Sequence, residues 1–216
     1  DDLILTFESK IDLQRALNIL DEIFKKFALS INTTKTKTMI LNHIHTGEIY
    51  PTTICQLNGK SIDNVEVFHY LGSCMKFDEP STGKAEIELR IDCAENALYR
   101  YAKKFFNQNI AIKTRVQIMN SIVRSRLIYG CQTWSLTRQH LQKVKSTYAS
   151  ILRKMIKGGF RRKKDSWSFV LTNEDILRLC DTEDIESFIR RQQRNYLAHV
   201  IRHDDVSISK RLTFND

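Results

Sequence analysis

The chain has 216 residues, enough for one or two compact domains with real cores. A hydrophobic content of 42% with only 2 Pro excludes a disordered chain and favours a helix-rich globular body. The net charge of +9 is unevenly placed: residues 1–83 carry 8 Lys/Arg against 11 Asp/Glu, residues 84–164 carry 19 against 4, and residues 165–216 carry 7 against 10.

The chain opens on Asp1-Asp2, two carboxylates running into the apolar Leu3-Ile4-Leu5. No Met precedes them, which reads as a fragment or a processed product. Alternation predicts a strand over 3–7. Apolar positions at helical spacing, from Ile11 through Leu20 to Phe27, predict an amphipathic helix over 10–29. A polar connector over 30–37 leads to a second strand at 38–41. Asn58-Gly59 between two apolar runs predicts a type I′ hairpin, because both residues accept a positive φ. Residues 65–74 read as a further strand pair ending at Gly72.

From Lys84 the pattern turns helical. Helices are expected over 84–107, 111–129 and 137–157, with Thr137 as an N-cap and Gly158-Gly159 as a stop. Arg161 to Lys164 forms an exposed basic loop. Thr172 to Asp175 resembles a capping box opening a short helix to Cys180, and a last helix covers 184–203. The fold class is therefore α+β: a small antiparallel sheet with one helix, then helices only. Three segments follow from the pattern, 1–83, 84–160 and 161–216.

From Asn96 to Lys164 there are 17 basic residues and no acidic one. A folded stretch with no acid is under like-charge stress that a polyanion relieves, so nucleic acid is the expected partner. The five cysteines are scattered without a CxxC pair. That excludes a zinc ribbon or disulfide framework and points to a reducing, intracellular compartment, nucleus or cytoplasm. No apolar run approaches the roughly 18–20 residues of a membrane span.

Five segments occur in a telling order: Asp1-Asp2 at a strand; Asn32-Thr33-Thr34-Lys35-Thr36-Lys37; Phe68-His69-Tyr70-Leu71-Gly72; Tyr129-Gly130-Cys131-Gln132-Thr133-Trp134; and Leu197-Ala198-His199-Val200-Ile201-Arg202, preceded by Ile189-Arg190-Arg191. This order resembles the reverse transcriptases of non-LTR, LINE-like retrotransposons over nearly the whole chain. The family shows, in turn, the second half of Tyr-Ala-Asp-Asp, an Asn-x-x-Lys-Thr-Lys segment, a Phe-x-Tyr-Leu-Gly primer grip, Tyr-Gly-Cys-Glu-Thr-Trp and Leu-Gly-His-Val-x-Arg. Gln132 replaces the usual Glu, Ala198 the usual Gly, and Tyr196 a common Trp.

The resemblance implies an incomplete polymerase palm over 1–83, a helical thumb over 84–160, and a basic loop with a helical extension over 161–216. It implies an RNA-directed DNA polymerase that transfers nucleotides through two Mg²⁺ ions when intact. Asp1 and Asp2 would be metal ligands, and Lys35 would neutralise the leaving pyrophosphate or else be an ordinary solvated lysine. Phe68, Tyr70, Leu71 and Gly72 match the primer grip. Lys103, Lys104, Lys113, Arg115, Arg124 and Arg126 are the expected contacts to an RNA template and DNA primer, positioning the hybrid without reading its sequence.

Without the fingers and the upstream carboxylate, the missing N-terminal polymerase portion, the chain alone is expected to be inactive. The rival readings are a non-catalytic relic that binds RNA or RNA–DNA hybrid, and a basic helical protein-interaction module. Tyr101 and Trp134 are expected to pack in the core, and His199 and His203 to be structural rather than ligands.

Overall fold

The computed structural model of the protein describes residues 3–41, 51–78, 83–157, 172–204 and 207–214. The fold is α+β, and the chain divides into two compact units, Asp1–Ala85 and Glu86–Asp216.

In the first unit, helix α1 (Lys10–Lys26) starts at Ser9, whose hydroxyl accepts the Asp12 N–H. Lys25 and Lys26 in its last turn suit the negative end of the helix dipole. Its end is a Schellman motif. The Ala28 N–H donates to the Lys25 carbonyl and the Leu29 N–H to the Phe24 carbonyl, with Ala28 at φ 58°. Strands β1 (Thr53–Leu57) and β2 (Lys60–Asp63) form an antiparallel hairpin. Its turn residues Asn58 and Gly59 have φ of 51° and 75°, as a type I′ turn requires. Leu13 and Leu17 of α1, with Ile31, cover a small core of Cys55, Leu57 and Ile62.

Polar ties lock the same packing. The Gln14 side chain donates to the Gln56 carbonyl at 2.7 Å and accepts the Gln56 N–H at 2.9 Å, so it pairs with the β1 edge as a neighbouring strand would. Buried Asp21 accepts from Asn58 in the turn and pairs with Lys25. The Lys25 ammonium, then Asn58, outweigh burial and hold the Asp21 carboxyl below the usual carboxylate range. Strands β3 (Val67–Tyr70) and β4 (Ser73–Lys76) make a second, separate hairpin.

Two expected strands are not formed. Residues 3–7 are irregular, with Leu3, Ile4, Leu5 and Phe7 exposed, and among the described residues they have no ladder partner to satisfy their backbone. Residues 38–41 contribute a single parallel bridge, Thr38 to Asn64.

The second unit is helical: α2 (Lys84–Arg100), α3 (Ala102–Phe105), α4 (Ile112–Met119), α5 (Ser125–Leu127), α6 (Arg138–Lys157), α7 (Asn173–Leu179), α8 (Ile185–Ile201) and α9 (Ile208–Phe214). The helix expected over 84–107 breaks at Tyr101, which leaves helical geometry at φ −107° and ψ 14°. The helix over 111–129 contains a π turn at Asn120–Arg124 between α4 and α5. Asn120 sits where the extra residue is taken up, and its amide meets Tyr148 and Thr182. Ser125 bonds back to the Ser121 carbonyl at 2.7 Å, a contact that bends helices.

Thr137 accepts the His140 N–H at the start of α6, and Thr172 with Asp175 forms a full capping box on α7. Asp184 caps α8 by accepting from Glu186 and Ser187. Met119, Val123, Leu152 and Met155 share one core with Ile176, Cys180, Ile185 and Ile189, so α7 and α8 pack into the same interior as α2–α6. Tyr101 packs against that core and Trp134 lies within it. Gly158-Gly159 and the Arg161 to Lys164 cluster lie outside the described residues.

Candidate nucleic-acid interface

The first unit presents two of the expected elements. In the Asn32–Lys37 segment, the Asn32 side-chain oxygen accepts from the Thr34 N–H, the Thr34 hydroxyl and the Lys35 N–H. The Thr36 N–H donates to the Asn32 carbonyl at 2.9 Å. This tight turn is why Asn is the residue type there: its short amide can cap its own following backbone. Lys37 pairs with Asp63 at the end of β2, so it is a fastening. Lys35 is exposed, and among the described residues its ammonium has no hydrogen-bond or ion-pair partner.

Phe68 and Tyr70 lie half-buried on β3, and Leu71 and Gly72 are the two turn residues of the β3–β4 hairpin. Their φ values are 48° and 83°. Gly72 is therefore required by the turn itself. Leu71 is the anomaly, an L residue held in the left-handed region at a cost of about 1–2 kcal/mol with its side chain 61% exposed. No hydrogen bond or ion pair joins the Lys35 side chain to this tip among the described residues. Asp1 and Asp2 lie outside the described residues. Among the described residues no group of three or more His, Cys, Asp or Glu is placed to hold a metal ion.

In the second unit the six expected phosphate contacts separate into different kinds. Lys103 and Lys104 on α3 are exposed and, among the described residues, have no ion-pair partner. Arg100, at the end of α2, and Arg138, at the start of α6, are also exposed without a described partner, and the sequence reading missed them. Lys113 is exposed but paired with Asp181 at 2.6 Å. The hydrogen bond between them raises the Lys113 pKa and lowers that of Asp181.

Arg124 is half-buried with its guanidinium 4.4 Å from the centre of the Phe188 ring, and Arg126 donates to the Ile122 carbonyl. Arg115 does not belong to the interface. It is buried, and its guanidinium donates to the carbonyls of Ile110, Phe105 and Met155 at 2.9, 3.1 and 3.0 Å.

The acid-free stretch is also less exposed to self-repulsion than its composition suggests. Lys145 meets Glu186 at 2.7 Å and Lys143 meets Glu88 at 3.1 Å, as Lys113 meets Asp181. The Lys145 ammonium, then Arg190, hold the Glu186 carboxyl below its ordinary value. Arg90 is buried beside Glu86 at 2.7 Å and stacks over Tyr129.

The segment from Leu127 to Trp134 is a core element. Leu127, Ile128, Cys131 and Trp134 are buried, Gly130 takes φ 74°, and the Trp134 carbonyl accepts from Gln193 on α8. Burial pushes the Cys131 and Cys180 thiols up to about 11, which makes them inert at neutral pH.

No helix among the described residues is long and apolar enough to cross a membrane. No family model matches the chain, and no solved structure matches it. Over 208 residues it is 25% identical to an uncharacterized transposon-derived protein of Caenorhabditis elegans, covering 95% of this chain and 71% of that protein. The chain is thus similar, along almost its whole length, to a protein of transposon origin.

Proposed function

We propose that the chain is the palm and thumb portion of an RNA-directed DNA polymerase of a non-LTR retrotransposon. The observation that carries this is the order of the five motif segments along the chain, supported by the transposon origin of its relative. In this reading the exposed cations Arg100, Lys103, Lys104 and Arg138 contact the phosphates of an RNA–DNA hybrid. The Tyr70-Leu71-Gly72 tip touches the primer strand. A strained, exposed Leu at a hairpin tip is what a surface contact would retain against the cheaper Asn or Gly. Lys35, exposed on its capped turn, meets a phosphate.

Asp1 and Asp2 would hold Mg²⁺, which when bound supplies Lewis-acid activation at the nucleotide phosphate. Asp1 and Asp2 lie outside the described residues, among which no group of three or more His, Cys, Asp or Glu is placed to hold a metal ion.

The test is hybrid binding as a function of salt, for the parent chain and for Lys103→Glu/Lys104→Glu. Each phosphate contact contributes a slope of about −0.9 in log affinity against log salt on B-form duplex, with a similar order for a hybrid. The expected result is a steep parent slope, made shallower by about 2 in the double variant. A flat parent response, or equal affinity in the variant, rejects the reading.

A further inference from the structure

The C-terminal end of α8 runs past the core: of residues 194–203 only Val200 is buried. His199 stands on this projecting end, and His203 follows two residues after α8 stops. α8 ends at Ile201, and the Arg202 N–H then donates to the His199 carbonyl and the His203 N–H to the Val200 carbonyl, both at 3.1 Å, so the chain closes in a tighter i→i−3 turn that brings His203 beside His199. The two imidazoles meet edge to face at 90°, and their Nε2 atoms are hydrogen-bonded to each other at 3.0 Å, a contact that a shared ion would replace.

We propose that His199 and His203 form a two-imidazole site for a divalent late first-row transition-metal ion. With metal–nitrogen bonds of about 2.0–2.1 Å, an Nε2 separation of 3.0 Å subtends about 94° at a shared ion. That is close to the right angle between neighbouring ligands of a tetragonal or octahedral ion, and narrower than a tetrahedral zinc site needs. The chemistry therefore favours Ni²⁺ or Cu²⁺ geometry.

Among the described residues no third His, Cys or carboxylate stands with the pair. The site also has a structural reach. Lys210 on α9 donates to the His203 carbonyl at 3.0 Å, so an ion held by the pair stiffens the corner where α8 hands over to α9. None of this depends on the polymerase reading.

The experiment is an NMR titration of the full chain with Ni²⁺ in a thiol-free reductant, repeated with His199→Gln, His203→Gln, the double variant, and His140→Gln as control. The expected result is saturable binding that first broadens the imidazole signals of His199 and His203. Each single variant should weaken it by roughly tenfold or more, because even second-shell losses cost that much. The control should match the parent, and Mg²⁺ should leave the signals unmoved, since it takes oxygen ligands.

Both histidines are exposed, so the double variant should keep the parent's helicity by circular dichroism. Absence of saturable binding, broadening that starts at cysteine-adjacent amides, or undiminished affinity in the folded double variant overturns the proposal.

Discussion

Replacing Arg115 with Met separates a structural cation from a phosphate ligand. The side chain is 4% exposed, and two of the carbonyls it serves lie at helix ends: Phe105 closes α3 and Met155 sits in the last turn of α6. Such carbonyls lack intrahelical partners and carry the negative end of the dipole, which is why a buried guanidinium is stable between them. Met fills similar volume but donates nothing. At mid-range values, three acceptors left unsatisfied at about 2 kcal/mol each, less about 2 kcal/mol regained by burying an apolar side chain, give a loss of about 4 kcal/mol.

The helical unit, Glu86–Asp216, unfolds with about 2.1 cal/mol/K of entropy per residue, so that loss lowers its melting temperature by about 15 °C. Calorimetry on the parent and variant chains measures the shift, and hybrid affinity is read well below both transitions. The expected outcome is a large thermal loss with unchanged affinity per folded molecule. An unmoved melting temperature together with lost hybrid affinity would refute the buried carbonyl-bound assignment.

Three further outcomes are expected. Ala28→Gly relieves the positive φ at the end of α1 and should raise the stability of the first unit by about 1 kcal/mol, read as a higher urea midpoint at constant slope; a lower midpoint counts against the Schellman geometry. Leu71→Asn, a favoured type I′ turn residue, should stabilise the hairpin by a similar amount of about 1 kcal/mol while weakening hybrid binding. Stabilisation with unchanged binding would reduce Leu71 to a turn residue.

Glu186→Gln addresses pH. Because Lys145 and Arg190 hold the Glu186 carboxyl below the usual 4.5, its contribution is complete above that value and fades as pH falls through the depressed folded value. Melting temperatures between neutral and acid pH should fall less steeply below 4.5 in the variant, and parallel curves would show that Glu186 does not carry the acid sensitivity.

Local elements were legible wherever a short-range rule sets the backbone. Asn58-Gly59 announced its turn because few other pairs accept two positive φ angles. Thr137, and Thr172 with Asp175, announced helix starts because their oxygens reach N–H groups three residues on. The second hairpin tip was misread as a strand end. Gly72 gave half of the turn signal, but Leu71 is not a turn residue by type. The break at Tyr101 and the π turn at Asn120 were invisible in apolar spacing, and at the π turn the side chain meets other parts of the chain. Asn120 reaches Thr182, at the end of α7, and Tyr148 on α6.

The order of residues alone sets the α+β class, the helical and basic second half, and where most turns and caps fall, because those follow from neighbours along the chain. Which cations face solvent was decided only by the tertiary structure. Lys113 and Lys145 find Asp181 and Glu186 far along the chain, and Arg115 turns inward to helix-end carbonyls. Lys103 and Lys104 are left uncovered. Charge in a linear stretch is a sum over residues, but its availability depends on distances that exist only after the helices have packed.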